Sequence, residues 1–78
     1  MARKVFVSVI VRYNEAGRAR PLKIFWEDGR AFEVDRVLDV RPAPALKAGG
    51  RGMRYTCRIA NRDMYLFEDE NRWFVEAR

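Results

Sequence analysis

Residues 22 to 40 run L-K-I-F-W-E-D-G-R-A-F-E-V-D-R-V-L-D-V: an apolar stretch, a glycine turn, and a second, longer apolar stretch. Apolar and polar side chains alternate on both sides of the glycine, the period of strands with one buried face, so the segment reads as a hairpin. Its register matters most, because a slip of one residue turns every side chain to the other face of the sheet. A two-residue Asp28-Gly29 loop sets Phe25 against Phe32 but leaves Ile24 facing Glu33 and Leu22 facing Asp35. A three-residue loop, Glu27-Asp28-Gly29 with Gly29 left-handed as a bulge, pairs Trp26 with Arg30, Ile24 with Phe32 and Leu22 with Val34. Five apolar side chains then share one face. Full burial of each is worth roughly 1.5 to 3 kcal/mol, so burial selects the second register. It also brings Arg30 over the Trp26 ring.

The rest of the chain repeats the strand period. Lys4 to Arg12 is a strand with Val5, Val7, Val9 and Val11 on one face, apolar enough on the other that both faces call for cover. Tyr13 to Arg20 is a polar connection, and Pro21 opens the hairpin at a position where a strand tolerates proline. The second arm, Arg30 to Arg41, turns Phe32, Val34, Leu38 and Val40 inward, and its length predicts a bend that serves both halves of a barrel. Residues 42 to 52, with two prolines and three glycines, form a loop. Met53 to Ile59 puts Met53, Tyr55, Cys57 and Ile59 inside and Arg54, Thr56 and Arg58 outside. Two turns, Ala60 to Asp63 and Glu68 to Asn71, frame short strands at Met64 to Phe67 and Arg72 to Glu76, with Trp73 and Val75 buried. The expected fold is all-β: one domain over residues 1 to 78, a small antiparallel barrel or strongly curled sheet of five to six strands, SH3-like or OB-like.

At 78 residues the chain is near the lower limit at which one core suffices without staples. A single cysteine, Cys57, gives no internal disulfide, and with no histidine the chain lacks the paired spacings of a metal site, so neither metal nor cofactor is expected. The start, M-A-R-K-V-F-V-S-V-I-V-R, imitates a signal peptide, but its apolar run is short, Arg12 closes it and its valines alternate. No stretch is long enough to span a membrane, and a bacterial cytoplasmic location is expected by elimination.

The combination W-E-D-G-R-A-F-E-V-D-R-V-L-D, then Y-T-C-R-I, Y-L-F and W-F-V-E, resembles a set of short bacterial proteins and domains of unknown function. They share a W-x-G-R or W-x-D-G-R hairpin, an aromatic, a β-branched residue and V-L, and a closing tryptophan strand. The similarity covers most of the chain from Leu22 onward. It implies a common fold and brings no activity with it, because the shared residues are turn glycine and core side chains.

Catalysis is poorly supplied: one serine, Ser8, lies in a strand, and one cysteine has no base to activate it, so no enzyme activity is expected. The charges, +5 net, fall in blocks. Residues 41 to 62 hold six cations and no acid: Arg41, Lys47, Arg51, Arg54, Arg58 and Arg62. With Gly49, Gly50 and Gly52 allowing close backbone approach, and Phe6, Phe25 and Phe74 as outward stacking platforms, this block is a candidate nucleic-acid surface. The acidic blocks at 25 to 40 and 63 to 78 stand ready to cancel it if they lie alongside. A second candidate is apolar. Phe6, Ile10, Phe25, Val37 and Phe74 are expected outside the barrel, together more than a soluble monomer usually leaves bare, which points to a homodimer or a standing protein partner. The sequence therefore favours a non-catalytic interaction module acting by protein contact or self-association, with nucleic-acid binding through residues 41 to 62 as the alternative.

Overall fold

In the computed structural model, which describes residues 3–42 and 52–77, the chain is all β and carries no helix among those residues, hence none long and apolar enough to cross a membrane. Seven strands form one antiparallel curled sheet: β1 (Arg3–Tyr13), β2 (Ala19–Phe25), β3 (Ala31–Glu33), β4 (Arg36–Pro42), β5 (Met53–Ile59), β6 (Arg62–Asp69) and β7 (Arg72–Ala77). The order across the sheet is β3-β2-β1-β7-β6-β5-β4. Two meanders, β1 to β3 and β4 to β7, are joined in the middle by pairing of the first and last strands. The eleven-residue β1 divides its length: Arg3 to Val7 pair with β7, and Ser8 to Tyr13 pair with β2.

The hairpin takes the three-residue loop. Ile24 faces Phe32, the Trp26 N–H donates to the Arg30 carbonyl (2.7 Å), the Gly29 N–H donates to the Trp26 carbonyl (2.9 Å), and Gly29 has a φ of 92°. The Asp28 carboxylate accepts the Arg30 backbone N–H (3.0 Å) and Nε–H (2.7 Å), and these bonds, the backbone one foremost, hold its pKa below the ordinary value. Arg30 lies over Phe32, 5.6 Å from the ring centroid, rather than over Trp26.

The strand count of five to six is corrected to seven, because the long arm breaks in two. The Val34 N–H donates to the Leu22 carbonyl on β2 and the Asp35 N–H to the Arg58 carbonyl on β5, each at 2.9 Å. Consecutive amides thus serve opposite ends of the sheet, so β3 and β4 are its two outer strands and the link between them curls it into a half-barrel. Inside sit Val5, Ile24, Tyr55, Cys57, Ile59, Leu66, Trp73 and Val75, with Val7, Val9, Val11, Trp26, Phe32, Val34 and Val37 packed against them. Tyr55 and Trp73 meet with ring centroids 5.1 Å apart.

Two bulges overturn expected orientations. In β2 the register against β1 jumps from Lys23 to Pro21, so Leu22 is the extra residue. Its side chain is left exposed and Pro21, expected at the start of the hairpin, is buried in mid-strand. In β4 the register against β5 jumps from Val37 to Asp39. Val37, expected outside, therefore packs on the core and Leu38, expected inside, is 43% exposed; Val40 keeps its expected side, opposite Tyr55, but on this outer strand it is also 43% exposed. The last two hairpins are tighter than expected. Ile59 pairs with Arg62 and Asp69 with Arg72, leaving two-residue turns at Ala60-Asn61 and Glu70-Asn71, all four residues with φ between 51° and 66°.

Candidate nucleic-acid interface on the outer face

Antiparallel partners share a face, so the pairings can be followed across the sheet. Arg41 opposes Arg54, Arg54 opposes Phe67, Phe67 opposes Phe74, and Phe74 opposes Phe6. These five residues form one continuous row from β4 to β1 on the convex side, opposite the core. At its aromatic end Phe67 and Phe74 stack nearly parallel, 5.3 Å between centroids and 9° between planes, with Phe6 edge-on to Phe74 at 5.7 Å and Tyr65 edge-on to Phe67 at 6.4 Å. Phe67 and Phe74 are a buried cluster separate from the core.

Cations cover this second cluster. Arg72 holds its guanidinium 3.9 Å from the Phe6 centroid, Lys4 its Nζ 4.5 Å from that of Phe74, Arg54 its guanidinium 4.5 Å from that of Tyr65, and Lys23 its Nζ 5.7 Å from that of Phe25. Each such contact is worth about 0.5 to 1 kcal/mol at an exposed site, and the aliphatic stems of Lys and Arg shield the rings from water. This explains why Phe74 is only 1% exposed although it points away from the core. Phe6 and Tyr65 remain 44% and 52% exposed at the two ends of the cluster. The Arg54 Nε–H is buried with no acceptor among the described residues, so this guanidinium rests on the tyrosine face and on whatever its outer nitrogens can bind.

Beside Phe6 and Arg72, where β1 leaves β7 for β2, a notch of about 440 Å³ opens. Backbone pairing changes partner there, at Val7 and Ser8, and Ser8, Asn71 and Arg72 give the notch polar walls.

The six basic candidates do not form a single patch. Lys47 and Arg51, with Gly49 and Gly50, lie outside the described residues. Arg41 is held by Asp39 (Nε to Oδ2, 2.7 Å), a hydrogen bond that raises its pKa, and Arg58 by Asp63 (3.1 Å). Acidic neighbours thus neutralise two of the four, as the charge blocks suggested. Arg62 belongs to the far end of the sheet, and only Arg54 joins the aromatic cluster. Gly52 is small for a structural reason: a Cβ there would lie 2.6 Å from the Glu68 carbonyl oxygen.

Of the apolar candidates, Phe6 and Ile10 are exposed and Phe25 is half-buried on the convex side, while Phe74 is buried and Val37 faces the core. Lys4, Tyr65, Phe67 and Arg72 were absent from both candidate sets. Period two alone turns Lys4, Phe6, Arg72 and Phe74 to one side, but only the β1–β7 pairing makes them neighbours. Cys57 is fully buried and desolvation pushes its thiol up to about 11, which makes it a poor nucleophile. No family model matches the chain, and neither a curated protein nor a solved structure does.

Proposed function

We propose that this chain is a non-catalytic binding module whose convex face takes single-stranded nucleic acid. The observation that carries the reading is the row of aromatic rings overlaid by Arg72, Lys4 and Arg54. A flexible phosphodiester chain supplies what such a surface lacks: flat bases to extend the stack at Phe6 and Tyr65, and phosphates for the guanidinium groups. The polar notch beside Phe6 gives a further place for a phosphate or base edge. Kinship with small barrels of the SH3-like or OB-like kind belongs to the same proposal and is supported by the curl of the sheet.

The order of preference from the sequence is reversed for a physical reason. With Phe74 and Val37 withdrawn, the apolar set expected on the convex side loses two of its five members, Leu22, Leu38 and Val40 are exposed elsewhere instead, and the convex rings Phe6, Phe25 and Tyr65 carry cations. Self-association or protein contact keeps one specific support: β4 is an edge strand that leaves Leu38 and Val40 exposed.

Fluorescence anisotropy with twelve-nucleotide single-stranded DNA and RNA, and with the matching duplexes, over a salt titration tests the proposal. Single strands are expected to bind more tightly than duplexes, with affinity falling as salt rises, and F6A/R72Q to weaken binding about tenfold or more, given roughly 1 to 3 kcal/mol per stacked base. No binding at low salt, or binding indifferent to F6A/R72Q, overturns it. In that case a dimer by light scattering that is lost in V40K transfers the proposal to the β4 edge.

A further inference from the structure

The half-barrel is joined at the Val34–Asp35 link, and beyond that link the β2–β3 and β5–β6 hairpins line a common cleft without pairing. Among the described residues β3 has no strand on its outer side, and Ile59 of β5 pairs with Arg62 but lies beyond the start of β4 at Arg36. The unpaired seam between the β2–β3 and β5–β6 hairpins is a cleft of about 460 Å³. That is the size of a small-ligand site, typically 300 to about 1,000 Å³. Ile24, almost fully buried, forms its floor. Trp26 and Phe32 wall one side and Ile59 and Met64 the other.

Arg30 and Arg62 stand at the rim, and among the described residues no carboxylate lines the cleft. Of the acids next to these arginines in sequence, Asp28 binds the Nε of Arg30 and offsets its charge, as Asp39 does for Arg41, while Asp63 pairs with Arg58 and leaves Arg62. Arg62 makes no ion pair with a described residue and is the rim cation left for a ligand, while Arg30, its charge offset, adds the N–H donors of its outer nitrogens. An apolar slot with one unpaired guanidinium, that of Arg62, at its mouth complements a molecule with a flat or branched apolar body and one carboxylate, which a guanidinium fork grips with two parallel hydrogen bonds.

We infer that this seam is a binding site for a small apolar monocarboxylate, separate from the convex face. Met64 adapts to the shape of the apolar body, and Trp26 reports its arrival.

The test titrates the full chain with 3-phenylpropionate, indole-3-propionate and octanoate, each against its uncharged amide, following Trp fluorescence and the indole N–H and methionine methyl NMR signals. At least one acid is expected to bind several-fold more tightly than its amide and to shift the Trp26 and Met64 resonances. R62Q, an exposed change that leaves the fold intact, should weaken the acid about fivefold to tenfold and leave the amide unchanged, while F6A/R72Q alters neither. Equal affinity for acid and amide, no binding by any of the three acids, or shifts centred on Phe6 and Tyr65 would each overturn the inference.

Discussion

Val34 and Asp35 are adjacent in sequence, yet their amides close bonds at opposite ends of the sheet, one to Leu22 on β2 and the other to Arg58 on β5, both at 2.9 Å. This pair of backbone bonds ties the two halves of the curled sheet together. Replacing Asp35 by proline removes the N–H to Arg58, whereas alanine keeps it. D35P is expected to lower unfolding free energy by about 2 to 3 kcal/mol and D35A by less than about 0.5, measured by urea denaturation. Equal loss in both would assign the effect to the carboxylate instead.

Cys57 supplies a pH signature. Its folded pKa is raised from 9.0 to about 11 by burial, so the unfolded thiol ionises first as pH climbs. The resulting stability is complete below pH 9 and is lost progressively toward pH 11. Tyr55 adds in the same sense, raised first by desolvation and then by Glu68. The native thiol should resist a disulfide reagent at pH 8 and react at once in denaturant. Stability measured at pH 8 and near 10.5 should fall further in the native chain than in C57A.

Glu70 occupies the left-handed region, with a φ of 51°, at the first position of a two-residue turn where asparagine is better suited. The Glu68 carboxylate already accepts the Asn71 N–H at 2.9 Å, so the turn is otherwise complete. E70N is expected to stabilise by about 0.5 to 1 kcal/mol, raising Tm by a few degrees in a thermal melt.

At Gly52 the constraint is space. A Cβ 2.6 Å from the Glu68 carbonyl meets backbone, which cannot swing aside, so G52A should cost about 1 to 3 kcal/mol. A denaturant midpoint unchanged by G52A would show that β5 and β6 separate at this point without loss.

Arg54 separates stability from binding. Its buried Nε–H lacks an acceptor, and its contact with Tyr65 offsets that cost only in part. R54M keeps the stem over the ring and removes the orphan donor. Unfolding free energy should stay within about 0.5 kcal/mol of the native value while affinity for single strands drops. Loss of stability with unchanged binding would make Arg54 a structural residue alone.

The all-β pattern, the hairpin register, the inward set Met53, Tyr55, Cys57 and Ile59, and the burial of Trp73 and Val75 followed from the sequence by itself, but the break of the long arm into β3 and β4 did not. Period-two alternation and a turn glycine are local properties, and burial energy chooses between registers without knowledge of the rest of the chain. The fates of Leu22, Val37 and Leu38 were decided by bulges and that of Val40 by the place of β4 at the sheet edge, neither of which the alternation within one strand reveals. The convex row from Arg41 to Phe6 likewise came from pairing β1 with β7, which links residues some seventy positions apart. Alternation within a regular strand sets a side chain's face, but its companions depend on which strands lie beside it, and only the pairing order of the whole curled sheet determines that.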